Sequence, residues 1–133
     1  VAAFSAGSAP DGAQWRSWGT FERQRFLQTL PRDLSTAKLD ALETAFGLNA
    51  TGNYEVAFNW LELVVANRYE PGVATLERFL TSQGRGKFVR PLYRALWAED
   101  DWGRPIARRI YAQARPGYHN LVSSAVDRIV NEA

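Results

Sequence analysis

The chain has 133 residues, 46% hydrophobic and 23% charged, with 16 basic and 14 acidic side chains for a formal net charge of +2. These values fit a single globular domain that buries about two-thirds of its unfolded surface, and a surplus of two charges demands no polyanionic partner. No apolar run reaches the ~18 residues of a membrane-spanning helix, and the absence of cysteine excludes disulfides, cysteine nucleophiles and thiolate metal sites.

A soluble chain is expected, with the cytoplasm the favoured compartment. Methionine is also absent, so Val1 cannot be the product of its own start codon and the chain is expected to be a piece of something longer. Val1 to Gly12 is rich in Ala, Ser and Gly without periodicity, which suits a linker or a cover strand, and Trp15 and Trp18 begin the packed region. The domain is expected over residues 19–133, with 1–18 as linker or N-terminal extension.

From there the spacing is helical throughout, and no stretch keeps the strict alternation of a half-buried strand. A first helix is predicted over about Thr20 to Leu30, presenting Phe21, Phe26, Leu27 and Leu30, with Pro31 stopping it. Ser35 caps a second, whose stripe is Leu39, Leu42 and Phe46 and whose C-terminal glycine is Gly47. A third spans about Tyr54 to Ala66. Its apolar residues point in nearly every direction, so it should be the most buried.

Pro71 opens a fourth helix, with Val73, Leu76, Phe79 and Leu80 on one face, Glu77 and Arg78 on the other, and Gly84 as its stop. A fifth begins near Lys87, which places Pro91 at the end of its first turn, and Pro105 falls near the start of a sixth. Leu121, Val122, Ala125, Ile129 and Val130 mark a seventh. About seven helices of three turns, joined by short links, must run antiparallel to their neighbours. The predicted fold is all-α, a two-layer α-solenoid of the armadillo or HEAT kind without a clean sequence period.

The most informative segment is Thr81 to Arg94. One amphipathic stretch stops there, a second opens with Arg85 and Lys87 on the turn, and no acidic residue follows until Glu99. A helix N-terminus already favours an anion, and a guanidinium plus an ammonium sharpen that preference toward carboxylate or phosphate. The bland alternative is a pair of solvated cations on an exposed turn.

The string Gln83-Gly84-Arg85-Gly86-Lys87-Phe88-Val89-Arg90-Pro91-Leu92 resembles the Gln-Gly-Arg-x-Lys-Phe-x-Arg-Pro-Leu string of the leukotriene A-4 hydrolase and aminopeptidase family of zinc metallopeptidases. Upstream, Asn53-Tyr54-Glu55-Val56-Ala57-Phe58-Asn59-Trp60-Leu61 is similar to that family's Glu-[Ile/Val]-x-x-x-Trp-Leu helix. The match runs from about Thr20 to the C-terminus. It implies a C-terminal helical domain that closes one side of a cleft shared with a zinc domain of the same parent chain. Arg85 and Lys87 match the family's Arg and Lys that bind the carboxylate of a peptide or fatty-acid substrate. Gly86 departs from the bulky apolar residue that better-known members carry between them.

The same resemblance implies zinc in the parent enzyme, held by a His-Glu-x-x-His helix. This chain has one histidine, His119, so no catalytic or metal residue is assigned to it and no zinc-dependent hydrolysis is expected from it alone. His119, beside Tyr118 and Asn120, is read as a cap or surface residue. Glu99-Asp100-Asp101 lacks calcium-loop spacing and reads as a solvated turn, and Asn49-Ala50-Thr51 matches a glycosylation sequon that is short enough to arise by chance.

Arg78, Arg85, Lys87, Arg90 and Arg94, interleaved with Phe88, Tyr93 and Trp97, outline a nucleic-acid surface only if those aromatics are exposed. As Phe88, Leu92, Ala95 and Leu96 form an inward stripe, no nucleic acid and no membrane partner is expected. The rival to the aminopeptidase reading is a non-enzymatic helical-repeat scaffold that binds a partner protein along one layer.

Overall fold

The computed structural model describes residues 12–131, and among them the chain forms eight α-helices and three short 3₁₀ turns with no strand. The helices are α1 (Gly12–Ser17), α2 (Thr20–Thr29), α3 (Thr36–Phe46), α4 (Tyr54–Ala66), α5 (Val73–Ser82), α6 (Gly86–Ala98), α7 (Asp100–Ala114) and α8 (Asn120–Val130). All but α1 answer to a predicted helix. Most of the Val1 to Gly12 segment lies outside the described residues.

Side chains at the helix ends explain several of these boundaries. Ser35 Oγ accepts from the Lys38 amide at 3.2 Å, and Asn53 Oδ1 accepts from the amides of Glu55 and Val56 at 3.0 and 3.2 Å. Gly47 ends α3 at φ 62°, a left-handed conformation in which glycine carries no Cβ penalty. His119 caps α8 through Nδ1, which accepts from the Leu121 amide at 3.1 Å, in line with the capping role expected of it.

Even-numbered helices pack on one another, α2 on α4, α4 on α6 and α6 on α8, while α1 packs on α3 and α5 on α7. Two rows result, as stacked helical hairpins require. Along α4, Val56, Ala57, Trp60, Leu61, Leu63, Val64 and Val65 are all buried, so this helix lies at the centre of the core as its all-round apolar pattern demands. Trp15, only 4% exposed, stacks on Phe46 with ring centroids 4.2 Å apart, so α1 joins the same core.

Two expected core residues face outward. Phe21 is 73% exposed and Leu121 70%. Each stands five residues before a buried anchor, Phe26 in α2 and Val126 in α8, and five steps of about 100° leave it roughly 140° round the helix. Val126 and Ser123 occupy the inward positions of α8 beside Val122 and Ile129.

The prolines also sit deeper than expected. α6 starts at Gly86 and α7 at Asp100, so Pro91 and Pro105 are each the sixth residue of their helix. There the missing N–H withdraws the donor that would reach the carbonyls of Lys87 and Asp101. Pro71 lies in a 3₁₀ turn, Glu70–Gly72, that leads into α5 rather than within the helix itself. Gly103 marks the tightest crossing, where a Cβ would lie 1.9 Å from the Leu96 carbonyl oxygen.

Candidate functional site at the α6 N-terminus

α5 ends at Ser82, and Gln83 takes the extended backbone that turns the chain into α6. Gln83 fastens the turn at both ends. Its Nε2 donates to the Phe79 carbonyl at 3.1 Å, and its Oε1 accepts from the Arg85 amide at 2.9 Å. Behind the turn, a Cβ on Gly84 would stand 3.3 Å from Cδ1 of Tyr118. The Tyr118 hydroxyl donates to the Leu80 carbonyl at 2.6 Å and lies 3.2 Å from the Tyr93 hydroxyl. Because the single Tyr118 proton is committed to Leu80, Tyr93 is the donor in the second bond. Burial raises both phenols above their usual range, so they remain neutral donors.

On this braced turn Arg85 is the N-cap residue of α6 and Lys87 stands in its first turn. No side chain caps the helix there, and its first turn contains no acid. The two cations share one ring. The Arg85 guanidinium carbon is 5.3 Å and Lys87 Nζ is 4.8 Å from the centroid of Phe88, which is itself buried. Both cationic side chains are exposed.

Sequence reasoning left one member of this group without a role. Glu55, in the first turn of α4, accepts from Lys87 Nζ at 2.7 Å with both side chains partly in water. The signal lay in the pattern, since Lys87 has no acid in its own segment and an N-terminal cation opposes the helix dipole. The partner itself, 32 positions away, could not be read from spacing.

The other singled-out residues lie elsewhere. Asn49 is structural: its Oδ1 accepts from Trp60 Nε1 at 2.9 Å, and its carbonyl accepts from Arg78 at 2.8 Å. Arg78 is therefore tied down rather than idle on a polar face. Glu99 and Asp101 take up Arg68 at 2.8 and 3.5 Å, and Asp100 pairs with Arg104. Phe88, Tyr93 and Trp97 are buried, at 1%, 0% and 4% exposure, so they offer no faces on which bases could stack.

Among the described residues no group of three or more His, Cys, Asp or Glu side chains is placed to hold a metal ion. The donor set of the described residues therefore does not fit a zinc centre, and no chemical step is derived through one. Nor is any helix among these residues long and apolar enough to cross a membrane.

Comparison with known proteins places the chain in a family. Residues 18–130 match the family model described as "Leukotriene A4 hydrolase, C-terminal". Aminopeptidase B of Mus musculus is 26% identical over 117 residues, 86% of this chain and 18% of that protein. Leukotriene A-4 hydrolase of Xenopus laevis is 34% identical over 68 residues, 51% of this chain and 11% of that protein. Aminopeptidase B of Homo sapiens is 24% identical over 116 residues, 85% of this chain. The chain thus spans less than a fifth of the length of these relatives. With an all-helical fold and a family match over nearly its whole described length, the chain belongs to the leukotriene A4 hydrolase C-terminal domain family.

Proposed function

We propose that this chain is the C-terminal helical domain of a zinc aminopeptidase, closing one side of the substrate cleft and holding the carboxylate of a peptide substrate with Arg85 and Lys87. Zinc, general base and recognition of the substrate N-terminus would come from a catalytic domain of the same parent chain. The observation that carries the reading is the α6 N-terminus, a helix start without a side-chain cap where Arg85 and Lys87 bring a guanidinium and an ammonium to the ring of Phe88. Free amides, the positive end of the helix dipole and two exposed cations favour a carboxylate there. Phe88 limits the conformers of both side chains, so less freedom is lost when an anion arrives.

Lys87 reaches such a carboxylate by exchanging Glu55 for it, whereas no ion pair among the described residues engages Arg85. Charge-assisted contacts of this kind are worth about 1.5–3 kcal/mol. In the full-length enzyme, Arg85→Ala should lower kcat/KM on tripeptides with a free C-terminus by about 10- to 150-fold, with Lys87→Ala toward the lower end. On C-terminally amidated tripeptides, which lack the carboxylate, both variants should match the parent. Equal losses on free and amidated peptides would return the two cations to the status of a solvated turn.

A further inference from the structure

A cleft of about 420 Å³ opens between α6 and α8, one turn beyond the Arg85–Lys87 turn, lined by Arg90, Arg94, Leu121, Ala125, Arg128 and Ile129. Its charge is one-sided. The ion pairs among the described residues engage Arg68, Lys87, Arg104, Arg109 and Arg115, and none reaches Arg90, Arg94 or Arg128. Arg90 and Arg94 are four apart on one helix, where like charges destabilise each other, and Arg128 faces them from α8.

One of these guanidinium groups is also short of a partner. Arg90 Nε is buried and makes no hydrogen bond, which is unusual for a buried donor and points to a missing acceptor. Gly86 contributes to that placement. A Cβ there would lie 3.3 Å from Arg90 Nε and 3.4 Å from its Cζ, so the absence of a side chain at 86 lets the guanidinium lie along the turn. Leu121, exposed on the rim, supplies the one large apolar surface beside the charges.

We infer that the α6–α8 cleft binds a small multivalent oxyanion, a phosphate ester or a di- or tricarboxylate, through the guanidinium groups of Arg90, Arg94 and Arg128. Three guanidinium forks match oxyanions geometrically, and a single negative charge would leave most of the cluster uncompensated. The volume lies within the range of small-molecule sites. Leu121 is placed to cover the carbon skeleton of the ligand. The inference is independent of the carboxylate clamp, since neither Arg85 nor Lys87 lines the cleft.

The test titrates the chain with inorganic pyrophosphate and, separately, with citrate at constant ionic strength, read by calorimetry and by the ¹⁵Nε resonance of Arg90. At least one anion should bind and shift that resonance. Binding of pyrophosphate alone identifies a phosphate site, and of citrate alone a carboxylate site. R94Q and R128Q should each weaken binding at least tenfold, about the value of one charge-assisted contact, while R25Q on the exposed face of α2 should not. E132Q, which removes the acid four positions after Arg128 in the sequence, should leave the affinity within about twofold of the parent. The proposal is overturned if neither anion binds, if R25Q weakens binding as much as R128Q, or if E132Q strengthens it tenfold and so makes that side chain the occupant.

Discussion

Lys87 Nζ lies 2.7 Å from Glu55 Oε1, and this contact joins the first turn of α6 to the first turn of α4. The two residues have opposite relations to their own helices. A carboxylate at the start of α4 suits the dipole, and an ammonium at the start of α6 opposes it. Each side chain keeps a substantial exposure, 52% for Lys87 and 39% for Glu55, so the pair contributes under about 1 kcal/mol to stability. Its larger consequence is competitive, because any anion that engages Lys87 must displace Glu55.

With the proposed carboxylate clamp, Glu55→Gln should leave the fold intact and raise kcat/KM of the proposed parent aminopeptidase on free-carboxylate tripeptides by up to about fivefold, the equivalent of an exposed ion pair. Amidated tripeptides should show no such gain. A drop in activity on free peptides would mean that Glu55 positions Lys87 rather than competing for it.

Trp60 is completely buried on α4 and donates through Nε1 to Asn49, so it joins the core to the 3₁₀ turn Leu48–Ala50. Trp60→Ala should cost about 3–5 kcal/mol in urea unfolding as a large core truncation. Arg78 holds the carbonyl of the same Asn49 from an exposed position, so Arg78→Ala should cost about 0.5–1 kcal/mol, more than a surface charge free of contacts would. Should the two variants unfold at the same urea concentration, Trp60 would not be a core anchor.

Much of this architecture is legible in the sequence because apolar stripes at helical spacing, caps such as Ser35 and Asn53, and the stop at Gly47 are local signals. The outward turn of Phe21 and Leu121 was missed since hydrophobicity alone does not give angular position, although their five-residue offset from Phe26 and Val126 does. Arg85 and Lys87 stood out through the string that contains them, and their placement beside a helix start followed from the break at Gly84. Glu55 and Tyr118 were not assigned to the turn. Tyr118 reaches Leu80 across 38 positions and Glu55 reaches Lys87 across 32, and no periodicity connects residues whose contact exists only after the helices have packed.

Acid should loosen the link between α7 and α8. Asp127 pairs with Arg115 at 3.0 Å and is within hydrogen-bonding reach of the Tyr111 hydroxyl. The Arg115 contact first, and the Tyr111 contact second, hold its carboxyl down from the usual 3.8 to about 2. A depressed folded-state value stabilises the fold above the unfolded-state value and loses that contribution as pH falls toward the folded one. The advantage of the parent over Asp127→Asn in melting temperature should thus be constant above about pH 5 and shrink between about pH 4 and pH 2. An advantage that persists unchanged at pH 2 would show that the carboxylate is not the group being read.

The brace behind the candidate site gives the remaining prediction. Tyr118 donates to the Leu80 carbonyl near the end of α5 and accepts from the Tyr93 hydroxyl, and both rings are buried. Tyr118→Phe removes one hydroxyl but strands two groups, a buried carbonyl and a buried phenol, at a cost of about 1–3 kcal/mol. Tyr93→Phe strands neither, because Tyr118 keeps its bond to Leu80 and loses only an incoming donor, so it should cost about 0.5–1.5 kcal/mol. The double variant should cost less than the sum of the two, as expected for residues that share one bond. Urea unfolding of the three variants measures all these quantities. The direction of the relay would be wrong if Tyr93→Phe proved the more damaging single change, for then Tyr93 would be the group whose hydroxyl the buried network cannot replace.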